Sequence, residues 1–293
     1  MHLTNDRKLN TIQLGFLSCA CLLLWRESYA PVLLGRKAAR LRKETGNTSL
    51  RSKYDSGLSP RDHFTRGIGR AAKMLVFSPI VFVLSVHMGL VYAYFYLLFT
   101  TLTSIFQDHY HFSPSTVGLS YLGVGIGFLI GQTIFARLGD RILIMMTAKA
   151  EGGEMKPEYR LPLCCVGGIF VPIGLFWYGW SAHARLHWIM PNVGIAIFGM
   201  GQQVGTQCVQ AYMIESYGQY SASGMAAVTV LKSLAGFGFP LFGPVMYRKL
   251  GWGWGNTLMA LISVFLGVPM PALLWRYGEK LRGKARETLV EKI

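Results

Sequence analysis

Six windows of this chain run for 20 residues or more with almost no charged side chain: 75–106, 117–136, 161–182, 188–214, 221–247 and 256–275. Lys232, in the fifth window, is the one exception. A helix rises about 1.5 Å per residue and a bilayer core is about 30 Å thick, so about 20 apolar residues suffice to cross. All six windows meet that length. Soluble domains carry about a quarter charged residues, whereas here the fraction is 15% and the charges are gathered between the windows. The chain of 293 residues therefore reads as an all-α membrane protein with room for six or seven spans and not for twelve. A seventh apolar run, 12–25, has 14 residues and would reach only about 21 Å. It is either the remnant of a span or a mismatched one. Arg7 and Lys8 precede it as in a signal peptide, but Arg26 follows directly and no small-x-small cleavage site separates it from the basic stretch.

Orientation follows from Lys and Arg, which remain on the cytoplasmic side of short loops. Residues 26–73 hold twelve, 137–160 hold five and the segment from Arg276 holds six, against three in the alternate loops: Arg185, Arg248 and Lys249. The net charge of +15 is thus mostly a topology signal, and no nucleic-acid partner is expected. Tryptophan, which prefers the headgroup level, agrees: Trp25 and Trp275 fall at the inner face, and Trp177, Trp180, Trp188, Trp252 and Trp254 at the outer one. The expected organisation is a partial helix at 1–25, a basic cytoplasmic loop at 26–74, a six-helix bundle at 75–275 and a basic cytoplasmic tail at 276–293. This orientation places Asn47-Thr48-Ser49, a glycosylation pattern, in the cytoplasm.

Within the spans, Gly123, Gly127 and Gly131, and again Gly201 and Gly205, recur at four-residue spacing, which lets helices approach closely. Gly236, Gly238, Pro240, Gly243 and Pro244 crowd into nine residues. Prolines remove helix hydrogen bonds, so Pro240 and Pro244 are expected to break the fifth span, a feature of secondary transporters. Lys232 lies about 16 Å into its span, near the bilayer midplane. A lysine there costs about 2.5–3.5 kcal/mol unless paired or hydrated, so it lines a substrate path or is held by backbone carbonyls for packing. His87 lies at similar depth and is either a proton carrier or a packing residue. Gln203, Gln207 and Gln210 form an amide stripe, and Tyr92, Tyr96 and Phe99 an aromatic one. Together they would suit a pocket for amphipathic or aromatic compounds; interhelical glutamine bonds and space-filling aromatics are the other reading.

Chemistry finds little support. The seven histidines are scattered, and near the pairs His109 and His111 or His183 and His187 the sequence offers Asp108 as the one neighbouring carboxylate. The five cysteines lie in apolar runs without a Cys-x-x-Cys. No nucleotide loop, nucleophile motif or paired carboxylates occur within the spans. Neither enzyme activity nor a metal or other cofactor is expected.

An ordered set of strings then carries a resemblance: Arg26-Glu-Ser-Tyr-Ala-Pro-Val-Leu-Leu-Gly-Arg36, Tyr96-Leu-Leu-Phe-Thr-Thr101, Tyr121-Leu-Gly-Val-Gly-Ile-Gly127, Pro157-Glu-Tyr-Arg-Leu-Pro162, Phe239-Pro-Leu-Phe-Gly-Pro244 and Gly251-Trp-Gly-Trp-Gly-Asn256. Over residues 26–280 the chain resembles the C-terminal half of fungal drug:proton antiporters of the major facilitator superfamily, in the multidrug and polyamine efflux branch. The resemblance implies the six-helix C-terminal bundle of that fold, preceded by a stub of the sixth family helix. It also implies a multi-pass location in the plasma membrane. Gly139, Asp140 and Arg141 match the centre of the superfamily's cytoplasmic loop motif, whose charges latch helices together; its downstream basic residues are absent, since Ile142, Leu143 and Ile144 follow. The family's proton-coupling arginine motif and Gly-Pro antiporter motif belong to the N-terminal half. The implied function is proton-coupled efflux of drugs or small toxic metabolites by alternating access, in a half transporter that needs a missing N-terminal half or a second copy. The alternative is a transport-incompetent fragment with at most a scaffold role.

Overall fold

The computed structural model describes residues 15–22, 27, 30–53, 60–114, 116–150 and 153–292, and among these no strand occurs. The chain divides into two units, 1–64 and 65–293. In the first, residues 15–22 are helical; the rest of the short apolar run lies outside the described residues. Helix α1, Ala30–Thr45, carries an exposed Arg40–Glu44 pair at 2.7 Å one turn apart. It ends where Gly46 takes φ 67° and returns its N–H to Arg42 O at 3.1 Å. Helix α2, Pro60–Phe77, runs across the boundary between the units.

The second unit is the bundle. Its helices are α3, Pro79–Asp108; α4, Leu122–Lys149, entered through the 3-10 turn Val117–Tyr121; α5, Leu161–His183, entered through Pro157–Arg160; α6, Ile189–Tyr217; α7, Ser221–Ile262; and α8, Pro269–Lys292. Ser78 fixes the start of α3. Its backbone is extended, its Oγ accepts from Val81 N at 3.5 Å, and Pro79 sits where its missing N–H costs nothing. The first long span therefore starts at Pro79, where the uncharged window alone had put it at Leu75.

Among the described residues, four helical runs are long and apolar enough to cross a membrane: Pro79–Asp108, Val117–Lys149, Pro157–His183 and Ser221–Gly283. The last, of 63 residues, holds the fifth and sixth windows together. They are separated at Gly251, whose φ 71° and ψ 173° interrupt α7. This corrects the expected break at Pro240 and Pro244: both lie inside α7, where Gly251 is the residue with non-helical torsions. A proline fits a helix at its own φ and deletes one hydrogen bond, whereas φ above zero reverses the chain. A second correction concerns 137–160. Helix α4 continues through Asp140 and Arg141 to Lys149, so these two are helical, not loop, residues. Helix α6 has the length to cross, but its Asn192 and glutamines reduce its apolarity, and it stands in the bundle by its packing against α4 and α5.

Glycine sets that packing. A Cβ on Gly123 would lie 2.8 Å from the Asn192 carbonyl of α6, one on Gly131 2.6 Å from that of Met200, and one on Gly127 would strike the Ala196 carbonyl. On the other side of α6, Gly201 abuts Gly167 of α5, where an added Cβ on Gly201 would lie 2.5 Å from the Gly167 carbonyl. Two buried clusters follow along the bundle. One is built around Met74, Leu84, Met88, Leu161, Val204 and Tyr212, the other around Tyr94, Phe106, Leu175, Tyr178, Phe198 and Tyr247. Outward, the helices present Leu129, Phe237, Phe242 and Phe265, each more than 70% exposed. An apolar surface of this kind belongs against lipid or protein rather than water.

Candidate functional site

Helices α3 and α7 approach through small residues: a Cβ on Gly89 would lie 3.4 Å from the Ala235 Cβ, and one on Gly236 would stand 2.8 Å from the Tyr96 ring. This close register sets Lys232 beside Tyr92, with Nζ 4.3 Å from the ring centroid. Such a contact contributes about 0.5–2 kcal/mol, less than the cost of about 2.5–3.5 kcal/mol for a lysine at mid-membrane. No salt bridge to Lys232 occurs among the described residues. The ammonium therefore retains capacity for a polar or anionic partner.

From Tyr92 the aromatic surface continues. Its ring lies 6.2 Å from Tyr96 and 6.3 Å from Phe95; Phe95 contacts Phe99 at 4.7 Å and stacks on Phe128 of α4 at 5.8 Å. Phe99 meets Tyr121 at 4.8 Å. Phe128 also lines a groove of about 540 Å³ between α4 and α6, together with Gln132 and Gln203. There the Gln132 Oε1 accepts from Gln203 Nε2 at 2.9 Å and from Gln207 Nε2 at 2.7 Å. Lys232, Tyr92, Tyr96, Phe99, Gln203 and Gln207 thus fall on one continuous surface of cation, rings and amides.

Phe95, Phe128 and Gln132 were missed by the sequence reading, though a signal existed. Gln132 is a lone amide one helical turn beyond Phe128 in an otherwise apolar window. Gln210 takes no part in the two amide bonds. His87 is placed elsewhere, buried to 4% exposure with Nδ1 lacking a protein partner.

At the end of the bundle where α4 and α6 finish and α5 begins, Arg160 gathers two carboxylates. Its Nη1 donates to Asp140 Oδ1 at 2.9 Å, and its Nε and Nη2 donate to Glu215 Oε1 at 3.0 and 2.8 Å. Arg160 and Glu215 are largely buried, so this pair is the firm part, while Asp140 is exposed and screened. The partner of Asp140 is therefore Arg160; Arg141 is exposed and outside these bonds. Arg160 and Glu215 stand 55 positions apart, and nothing in their spacing announces the pair. Nearby, Lys156 Nζ donates to Glu279 at 2.9 Å, and Arg282 lies 3.5 Å from Glu158, tying α8 to the entry of α5.

At the opposite end, His109 Nε2 accepts from Trp252 Nε1 at 3.2 Å. Burial first, then the positive charge of Arg185, hold the His109 pKa below its ordinary value, with His111 and His183 acting the same way and Asp108 opposing.

The sequence profile of the Major Facilitator Superfamily matches residues 12–240. The MFS-type transporter penM of Penicillium rubens is 49% identical over 268 residues, 92% of this chain and 52% of that protein. The MFS-type transporter atr4 of Stereocaulon alpinum is 46% identical, covering 94% of this chain and 49% of that protein. The efflux pump radE of Floropilus chiversii is 44% identical, covering 94% and 51%. The chain spans about half the length of these curated relatives. No solved structure matches it.

Proposed function

The chain belongs to the major facilitator superfamily, and on that premise we propose that it supplies one of two rocking bundles of a proton-coupled efflux transporter. Its substrates are amphipathic or aromatic small molecules, such as toxic or secondary metabolites. Membrane transport follows from the family; the coupling, the substrate class and the plasma-membrane location with cytoplasmic basic segments are this proposal's own. The observation that carries it is the continuous surface from Lys232 through Tyr92, Tyr96 and Phe99 to Gln132, Gln203 and Gln207. Rings offer stacking area, the amides can exchange bonds with a substrate, and Lys232 answers a polar or negative group. His87 is the proton carrier in this scheme, and the Asp140–Arg160–Glu215 cluster is the latch that alternates with the conformational cycle. Pro240 and Pro244 each remove one backbone bond from α7 and leave it free to bend there as the bundles rock.

Because transporter substrate sites lie at the interface of two repeats, the bundle needs a second one, either the preceding half or another copy. The test is expression in an efflux-deficient yeast, alone and together with the N-terminal half of a relative such as penM. Restored tolerance to aromatic toxicants and lowered dye retention in the paired strain support the reading. If no change appears in either strain while both chains reach the membrane, the transport-incompetent scaffold is the better account.

A further inference from the structure

His87 of α3, Gln202 of α6 and Ser263, at the start of a π turn Ser263–Gly267, surround a cavity of about 10 Å³ inside the bundle. All three side chains are nine-tenths or more buried. Gly267 would ordinarily offer its carbonyl to the N–H four residues on, but residue 271 is proline and has none. The Gly267 carbonyl lies beside the His87 ring, and since Nδ1 has no protein partner, the ring proton is placed on Nε2, towards that carbonyl. In this tautomer Nδ1 carries a lone pair. Gln202 Oε1 is also buried without a protein partner. Two acceptors therefore serve one small cavity, and neither can satisfy the other.

We infer that this cavity is a binding site for a single water molecule, which donates one hydrogen to His87 Nδ1 and the other to Gln202 Oε1. The volume is near the threshold of about 10–15 Å³ for one water, and the polar partners number at least the two that such a water needs. Ser263 Oγ also lines the cavity and can donate to the water's oxygen, while the Cys164 thiol donates to the Gly205 carbonyl at 3.8 Å. The remaining lining residues, Val91, Gly168, Val171, Gly201, Gly205 and Gly267, carry no charge, so no ion is called for. The water joins α3, α6 and the π turn through one set of hydrogen bonds. This inference is independent of any role of His87 in transport.

Gly205 supplies the test. It is buried and lines the cavity, yet a Cβ there meets nothing within 4 Å. In a dry void, Gly205→Ala would fill space and improve helix propensity, raising the thermal midpoint of the full chain in lipid nanodiscs. With a water bound, the methyl displaces it and strands two buried acceptors, so the midpoint falls. A fall is expected; a rise or no change overturns the inference. The second readout needs no variant of uncertain folding. In the ¹⁵N-histidine-labelled wild-type chain, with His87 signals identified by their loss in His87→Gln, Nδ1 should be unprotonated and in contact with exchangeable water protons. A protonated Nδ1, a direct bond from the Gln202 amide, or no water contact overturns the site. Neither readout measures efflux, so a failed transport assay leaves this test standing, and the reverse also holds.

Discussion

At the scale of single residues, the position of each amide and ring decides its role more than its type does. Gln202 and Gln203 are neighbours in sequence, yet Gln202 is buried beside His87 while Gln203 bonds to Gln132 on the outer surface. Replacing Gln132 by Leu leaves two amide groups without their shared acceptor, at about 0.6–1.5 kcal/mol for each lost bond. The expected outcome is a small fall in thermal midpoint with a clear change in substrate preference, checked by comparing efflux of several aromatic compounds. His109 gives a pH dependence. Its folded pKa is lowered, so the neutral form is favoured in the native state and accepts the Trp252 N–H. Stability is complete above about pH 6.5, where the histidine is neutral in both states. It is lost as pH falls from there towards the lowered folded value, because the unfolded chain protonates first. His109→Gln keeps an acceptor but does not titrate, and should remove that part of the acid-induced decline in thermal midpoint. Unpartnered amides are visible in a sequence, but which of them meet is not, because helix rotation and register are tertiary properties. Hence Lys232 could be singled out as a costly charge while Tyr92 as its immediate partner could not.

At the scale of elements, the helices over the six windows were legible because an uncharged, apolar stretch of 20 residues has few alternatives to a helix. Their ends were less so. Charge alone cannot mark Ser78-Pro79 as a start, since it is the cap and the proline ring that fix it. Nor does charge end α4 at Ala136, because arginine is a good helix former and a single aspartate does not stop a helix, which runs on to Lys149. The glycine spacing on α4 marks a packing face, and α6 carbonyls stand where Cβ atoms would be. Gly205 departs from that pattern, with open space at its Cβ. Gly127→Leu should therefore force α4 and α6 apart and destabilise by about 1–3 kcal/mol or more, read as loss of folded chain in detergent. Gly251 is a different case: its φ 71° and ψ 173° fall in a region almost reserved for glycine. Gly251→Ala should cost about 1–3 kcal/mol through backbone strain alone, measured by thermal unfolding.

At the scale of the whole molecule, the bundle presents an aromatic, amide and cationic surface that extends over α3, α4, α6 and α7. The match to about half the length of its relatives fits a bundle that closes this surface against a second one. The Arg160–Glu215 pair joins the entry of α5 to α6, and the Lys156–Glu279 pair joins α8 to the same entry, so helices far apart in sequence are tied at this end of the bundle. In the proposed transporter, Lys232 lines the substrate path. The most direct test is efflux by Lys232→Met in the paired, transport-competent strain, at matched membrane abundance and thermal midpoint. Loss of substrate export with insertion and stability unchanged is the predicted result; export equal to wild type, or a loss matched by failed insertion, would contradict it.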